Sequence, residues 1–419
     1  MMKRVAANLT ILTAMLAFTA MPALGWDDVG HKITAHIAWL RMTPTVRNRV
    51  IEILRQAPED SHLAVFYRPY GIEPEDVRRL DFFMIAATWP DIVRDFGSDP
   101  RFRNEVRNRK YHKGNWHYDD TFWKQVNGKA EPLSGFQEGG VAVAKLNEFD
   151  KLIRDASARD ADKAVAIAWI MHLIGDLHQP LHTSARVTDE EPKGDQGGNL
   201  FLLTAKGTPR DKQVNLHWYW DSIVGRNVAY DGGPSERKYI EGLAMKFIKR
   251  HPFPSLQARL SVGDFDYLQK ETFALNPTDV FSADLIRFSE PSKKYRQRAF
   301  AVAERQLTLA GYRMGELFNA AFTAPQVVQS AAAPCQIIRT IMYPVFKKQT
   351  RENQAKAKPT AVLLDVCPTG PAARPTLMVA VNGKSEARAF DVIKAFASED
   401  EARAYAAANS IQDVDLKLQ

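Results

Sequence analysis

Residues 168–184 read AWIMHLIGDLHQPLHTS and place three histidines and an aspartate in an otherwise apolar segment. The apolar residues recur at spacings of three and four, which predicts a helix whose neighbours belong to a core. At about 100° per residue, His172 and Asp176 lie on one face, so both can reach one point. Pro180 interrupts the helix and permits a turn that returns His182 to the same end.

Two imidazoles and a carboxylate form a donor set that suits zinc. The chain has only two cysteines, Cys335 and Cys367, so a zinc site would depend on His and carboxylate ligands. Taken alone, the segment also fits buried histidines whose hydrogen bonds are satisfied within the core. We expect the helix to end near Gln179, and we expect His178, which falls well round the helix, to serve another role.

A second pair occurs in NLHWYWDS, residues 215–222, where His217 and Asp221 are again four apart. The tripeptide GGN at 197–199 lies between the two pairs. Neutral histidines and ionised aspartates buried without partners cost several kcal/mol, so each pair needs a proton or a metal. The alternative is two hydrogen-bonded His–Asp pairs that hold helices together.

The first 25 residues predict a secretory signal peptide. Lys3 and Arg4 precede an apolar run, and the small residues Ala23 and Gly25 define a cleavage site before Trp26. A membrane anchor is the alternative, but the run is short. No later segment approaches the ~18 consecutive apolar residues of a membrane span. We expect export to the periplasm or the medium, without stable membrane insertion.

Cleavage would make Trp26 the first residue, with His31 five residues further on. A free α-amine and the first carbonyl can chelate a cation when the amine is unprotonated. A metal site at Trp26 would then form only after export. The alternative is that Trp26 is simply the first ordered aromatic residue.

Two more segments carry candidate residues. ATWPDIVRD contains Asp91 and Arg94, and GNWHYDD contains His117, Tyr118 and Asp120. Asp91 after Trp-Pro also fits a helix N-cap, and His117 also fits a core residue among aromatic neighbours.

The chain is expected to contain two folded parts after the signal peptide. Helical periodicity dominates residues 26–325, which predicts a mainly α domain. TAPQVVQSAAAP, beginning at Thr323, is typical of a linker. Residues 326–419 predict a small α+β domain of unknown function, with a hairpin at Asn382-Gly383 and a short helix in SEDEARAYAAANS. In an oxidising compartment its two cysteines are compatible with a disulfide.

Residues 26–322 resemble the secreted, zinc-dependent nucleases specific for single strands, a family of fungal nucleases, plant bifunctional nucleases and bacterial relatives. RQLTLAGYRMGELFNAAF looks like the closing helix of that family. The other matching elements, in chain order, are W-x4-H at Trp26, W-x-D-x2-R at Trp89, W-H-Y at Trp116, H-x3-D-x-H-Q-P-L-H at His172, G-G-N at Gly197 and N-L-H-x2-W-D at Asn215.

The resemblance implies three zinc ions on a mainly α, phospholipase C/nuclease-like scaffold. The first ion would be held by Asp91, His117 and His172, with Asp176 bridging to the second. Trp26, through its amine and carbonyl, and His31 would complete the second ion's ligands. His182, His217 and Asp221 would hold the third. His178 matches a position that is not a ligand in the family.

The implied activity is hydrolysis of P–O3′ bonds in single-stranded DNA and RNA, which leaves 5′-phosphate nucleotides, together with 3′-nucleotidase activity. Asp91 would orient the attacking water, and Arg94 would stabilise charge on the phosphoryl oxygens. Tyr118 would stack on a base and Asp120 would hydrogen-bond it. Ser222 stands where many relatives have Asn, so a substrate contact at that position is in doubt. No protein partner is evident.

Two other readings compete with the nuclease. A zinc-dependent phospholipase C shares the three-metal architecture, but such enzymes typically close the third site with H-x3-E, whereas His217 and Asp221 form H-x3-D. A zinc-sequestering or nucleic-acid-binding module without hydrolytic activity is the third reading. Full zinc occupancy without hydrolysis of any phosphodiester would identify it.

Overall fold

The computed structural model describes residues 26–94, 110–136, 139–233 and 235–323, the backbone of six strands between 339 and 418, and residue 404. The predicted signal peptide, the linker, Cys335, Cys367 and all but one residue of the predicted C-terminal helix lie outside the described residues. The chain divides into two compact units, Met1–Ala324 and Pro325–Gln419. The prediction of a mainly α fold is confirmed.

Helices account for most of the first unit. None of the described helices is both long and apolar enough to cross a membrane. The helices are α1 (Asp28–Arg41), α2 (Pro44–Leu54), α3 (Glu75–Ile92), α4 (Ala142–Arg154), α5 (Asp160–Asp176), α6 (Leu216–Asp221), α7 (Ile223–Asn227), α8 (Glu236–Arg250), α9 (Phe253–Leu256), α10 (Phe265–Phe273) and α11 (Lys293–Phe322).

Helix α5 lies at the centre of this unit and packs against α1, α2, α3, α4 and α11. Every residue from Ala166 to Asp176 is buried, as expected for a helix that is apolar on all faces. The helix ends at Asp176, three residues before the predicted end near Gln179. The chain tightens there, because the amides of His178 and Gln179 bond carbonyls three residues back, and a 3₁₀ turn follows at Pro180–His182.

Helices α1 and α11 cross at close range through small residues. A Cβ placed on Gly311 would lie 2.5 Å from Ile37 Cβ and 2.9 Å from the Thr34 carbonyl oxygen. Since neither group can move freely in a close-packed core, only glycine fits at this crossing. The contact holds α1, which carries His31, against the rest of the core.

Helix α3 places Asp91 in its last turn, after an internal proline at Pro90. The alternative reading of Asp91 as a helix N-cap is therefore wrong. The Trp89 indole is buried and donates a hydrogen bond to the Ser61 carbonyl oxygen over 3.0 Å. This bond fixes the end of α3 and with it the position of Asp91.

A small three-stranded sheet joins the segment after His117 to the turn after α5. Its strands are β1 (Thr121–Val126), β2 (Lys129–Pro132) and β3 (Ser184–Arg186), in the order β2-β1-β3. Strand β1 is antiparallel to β2 and parallel to β3, with Thr121 opposite Ser184. The Asp119 amide donates to the His182 carbonyl over 2.9 Å, so the sheet keeps residues 117–120 beside His182.

The second unit contains strands β4 (Arg339–Pro344), β5 (Pro359–Asp365), β6 (Val379–Val381), β7 (Lys384–Glu386), β8 (Asp391–Phe396) and β9 (Asp415–Leu418). Four of them form a sheet in the order β8-β5-β4-β9. Strands β6 and β7 pair antiparallel, with Val381 opposite Lys384. This pairing agrees with the predicted hairpin, whose turn residues Asn382 and Gly383 lie outside the described residues.

Candidate metal centre

The predicted histidine and aspartate ligands converge in the interior of the first unit. Three groups bring their ligand atoms within 4.8 Å of one another. Seven of their eight different side chains are buried, and Asp91 is partly exposed. The groups are His31, His172 and Asp176; Asp91, His117 and His172; and His182, His217 and Asp221.

Asp176 lies at the junction of the first two groups. One carboxylate oxygen is 3.2 Å from His31 Nε2, and the other is 3.1 Å from His117 Nδ1 and 3.3 Å from His172 Nε2. Asp91 Oδ1 lies 3.7 Å from His172 Nε2 and 4.0 Å from His117 Nδ1. A single carboxylate therefore faces imidazoles from three different segments of the chain.

Backbone carbonyls fix the orientation of three of these imidazole rings. Because a carbonyl oxygen can only accept, each Nδ1 must carry the proton in the bonds from His172 to Ala87 (2.8 Å), from His182 to His117 (2.6 Å) and from His217 to Gly197 (2.6 Å). Metal-binding histidines commonly donate their second ring N–H to such an acceptor. The Nε2 atoms of all three rings are thereby left as ligand atoms.

His182 and His217 direct these Nε2 atoms at each other across 3.1 Å. Asp221 lies beside them, with an oxygen 3.5 Å from His217 Nε2 and another 3.8 Å from His182 Nε2. Two neutral nitrogen lone pairs at that distance repel, so a proton or a cation must lie between them. Burial disfavours charge on His182, but Asp176 and Asp221 outweigh burial and raise its pKa to about 9.

Burial also controls protonation in the other two groups. It lowers the pKa of His172 to about 3 and that of His117 to about 4, so both rings are neutral at neutral pH. Burial opposes the ionisation of Asp176, but the four histidines around it, His172, His117, His182 and His31, hold the pKa of its carboxyl well below the usual range. Of these, His31 and His182 have raised pKa values, so they can carry the compensating positive charge. A cation bound here would displace those protons, because histidine ligands must be neutral and carboxylate ligands ionised.

Trp26 begins the described part of the chain and is fully buried. The next amide, that of Asp27, donates to the carbonyl of Asp221 over 3.0 Å. The Trp26 backbone is therefore close to the end of α6. The predicted role of its amine and carbonyl as metal ligands stays a prediction.

A cavity of about 680 Å³ lies beside the metal-ligand groups, and His217 forms part of its wall. Arg94, Tyr118 and Asp120, the three remaining predicted site residues, all line it. The Arg94 guanidinium is almost fully buried, and its Nη1 lies 3.6 Å from Asp91 Oδ1. Burial raises the pKa of the Asp120 carboxyl to about 8. The structure thus places the predicted residues Arg94, Tyr118 and Asp120 around one cavity, and the metal-ligand residue His217 contributes to its wall.

Sequence reasoning missed three features of this site. Gln179, for which the sequence motif predicts no role, donates to Asp221 Oδ1 over 2.7 Å. A Cβ on Gly175 would lie 2.7 Å from His31 Nδ1, so only glycine leaves room for that ring. The hydroxyl of Ser222 donates to the Trp218 carbonyl and accepts from Arg226, which satisfies it within its own helical segment.

His178 serves a structural role, consistent with the expectation that it is not a ligand. Its Nδ1 donates to the Ile174 carbonyl, and its Nε2 accepts from Arg313 over 2.8 Å. Arg313 also pairs with Glu271 at 2.8 Å. This buried network holds the turn between Asp176 and His182 in place through His178, which lies within that turn.

A mainly α domain whose interior gathers histidines and aspartates beside a cavity defines a candidate metal-dependent enzyme. The family model of the S1/P1 nucleases matches residues 26–323. The chain belongs to the S1/P1 nuclease family, which confirms the predicted resemblance.

Curated relatives agree with this membership. Endonuclease 2 of Arabidopsis thaliana is 27% identical over 222 residues, which are 51% of this chain and 61% of that protein. Nuclease S1 of Aspergillus oryzae is 23% identical over 185 residues, 42% of this chain and 60% of that protein. Nuclease P1 of Penicillium citrinum is 28% identical over 85 residues, 20% of this chain and 27% of that protein. In each comparison the matched part is less than two thirds of the relative's length.

Proposed function

We propose that this chain is an exported, zinc-dependent endonuclease that hydrolyses single-stranded DNA and RNA to 5′-phosphate nucleotides and removes 3′-phosphates from nucleotides. Three zinc ions would be held as the resemblance implies, by nine residues. These are Asp91, His117, His172 and the bridging Asp176; Trp26 and His31; and His182, His217 and Asp221.

The observation that carries the proposal is the pair of Nε2 atoms of His182 and His217, 3.1 Å apart with both Nδ1 protons committed to carbonyls. Such a pair suits a cation that accepts imidazole nitrogen, and zinc does so with carboxylate support. When bound, clustered zinc ions supply Lewis acidity that activates water and polarises phosphate oxygens.

The side chains of this domain supply the remaining parts of the mechanism. Arg94 directs its guanidinium into the cavity wall next to Asp91. A buried guanidinium is preorganised for the reaction. It therefore stabilises the charge that develops on the phosphoryl oxygens more strongly than a guanidinium in water does. Asp91 would accept a hydrogen bond from the attacking water and so orient it.

The cavity also gives a physical reason for single-strand preference. A base can enter it only after it has left its stack, which is easier in a single strand than in a duplex. Tyr118 offers a ring for stacking that tolerates any base. With its pKa at about 8, Asp120 carries a proton at neutral pH, so its carboxyl can donate one hydrogen bond to a base edge and accept another.

Hydrolysis of single-stranded DNA, measured beside phosphatidylcholine vesicles with and without a chelator, tests the proposal. We expect release of 5′-phosphorylated nucleotides that stops when the chelator removes the metal and returns when zinc is added. Cleavage of the lipid with the DNA left intact would instead identify a phospholipase C. Retained zinc without hydrolysis of either substrate would identify a binding module.

Gly175→Ala is expected to weaken zinc binding without changing any ligand. The new methyl group would meet His31 Nδ1 at 2.7 Å and Cε1 at 2.9 Å. The His31 ring cannot turn aside freely because it stacks on His172, with centroids 4.0 Å apart. Displacing it should lower zinc affinity by about 10- to 100-fold, which competition with a chromogenic chelator measures.

Gly242→Ala is the matched control for this change. Gly242 lies within α8, and nothing lies within 4 Å of a Cβ added there. Alanine at this site should leave zinc affinity unchanged and stabilise the helix by roughly 1 kcal/mol. Equal zinc affinities for the Gly175 and Gly242 variants would show that His31 does not bind the ion.

A further inference from the structure

We propose that Phe122 and Phe136 form a stacking platform for the base of the nucleotide next to the one held in the cavity. The inference rests on the proposed nuclease function and extends it from one bound base to two. Its occupant would be a second, unpaired base of a single-stranded substrate.

The two rings form a parallel stack at the edge of the cavity. Their centroids are 4.2 Å apart and their planes differ by 6°. Phe122 lines the cavity, whereas the Phe136 side chain is 37% exposed. Phe136 therefore covers one side of Phe122 and presents ring surface to solvent.

Backbone geometry places this stack in line with the predicted base site. Tyr118, Asp120 and Phe122 alternate along the segment that leads into β1, and all three line the cavity. Alternate residues of an extended chain point to the same side and advance by about 7 Å per pair. The platform therefore begins about 13 Å along the chain from Tyr118, on the same side.

The surroundings hold Phe122 while leaving Phe136 accessible. The Leu133 amide donates to the Phe122 carbonyl over 2.7 Å, and a Cβ on Gly194 would lie 3.0 Å from the Phe122 ring. A fixed aromatic ring beneath a partly exposed one is the kind of surface on which successive bases stack without sequence preference.

The test compares Phe136→Ala with wild type, both loaded with zinc, on a 3′-mononucleotide and on a single-stranded trinucleotide. A mononucleotide fills only the cavity, so its kcat/KM should stay within about twofold of wild type. The trinucleotide should lose about tenfold in kcat/KM, mainly through KM. Phe136→Tyr should keep the wild-type kcat/KM on the trinucleotide, whereas Phe136→Leu should lower it as Phe136→Ala does.

Two further trinucleotides, each lacking one terminal base, distinguish stacking from a structural effect. For the wild-type protein, kcat/KM should fall about tenfold on the trinucleotide whose missing base is the one that stacks on the platform. Phe136→Ala should show no additional loss on that substrate, since ring and base act as one contact. Tyr70→Ala, which removes an aromatic ring that is 81% exposed and outside the cavity lining, is the control and should leave every rate unchanged.

The outcomes separate this inference from the proposed function. A wild type that hydrolyses neither substrate would overturn both. An active wild type whose trinucleotide kinetics survive Phe136→Ala would overturn the platform alone. The platform would also be overturned if the loss in kcat/KM from removing the Phe136 ring and the loss from removing the base were additive. Additive losses would show that the ring and the base do not contact each other.

Discussion

Asp176→Asn should lower nuclease activity by on the order of 10³-fold or more and reduce the bound zinc. The substitution keeps the shape of the side chain but removes the negative charge that faces His31, His117 and His172 at 3.1–3.3 Å. Without that charge, a cation among three neutral imidazoles loses its counterion and its bridging oxygen. Nucleotide release and zinc content per chain, measured on the same preparation, report both effects.

Asp162→Asn is the control for this prediction. Asp162 lies on the same helix, α5, but near its first turn, where it pairs with Arg159 at 2.8 Å. The Arg159 and Asp162 side chains are both substantially exposed, so the change should alter neither zinc content nor activity. Near-normal activity with full zinc content in the Asp176 variant would refute the bridging role.

Arg94→Met should lower kcat by about 10²- to 10³-fold while leaving zinc content and KM little changed. The guanidinium is almost fully buried in the cavity wall, 3.6 Å from Asp91. Its Nε and Nη1 atoms have no hydrogen-bond partner among the described residues. A donor of this kind acts when charge develops on the phosphate, so its loss should appear in kcat rather than in substrate binding.

Arg79→Met on the same helix provides the comparison. Arg79 pairs with Glu75 at 2.7 Å near the start of α3, on the other end from Asp91, and its loss should leave kcat unchanged. Parallel measurements of zinc content and melting temperature exclude metal loss and misfolding as causes. An Arg94 variant with wild-type kcat would show that this guanidinium has only a structural role.

Sequence spacing alone predicted the parts of the site that are close together in the chain. The four-residue spacings of His172 with Asp176 and of His217 with Asp221 follow from helical geometry, and Pro180 indicated the turn before His182. His31, Asp91 and His117 come from separate segments, and no local pattern brings them to α5. Only the family resemblance grouped them with the rest.

Other features of the site depend on groups that residue identity does not reveal. The carbonyls of Ala87, His117 and Gly197 orient the three imidazoles, but every residue carries a carbonyl, so sequence cannot single them out. The need for glycine at position 175 depends on His31, which a distant helix supplies. The end of α5 differed from prediction by three residues because short-range bonds replace the helical ones before Pro180.

The metal ligands come from distant segments of the chain, so bound metal would affect the stability of the fold. The first unit contains no cysteine, so it cannot form covalent cross-links of its own, which secreted proteins often use against unfolding. Cations held by ligands from α1, α3, the His117 segment, α5 and α6 would stabilise the folded state, because the unfolded chain does not bring these ligands together. Under the proposed function, the supply of zinc would therefore control how long the protein stays folded as well as its activity.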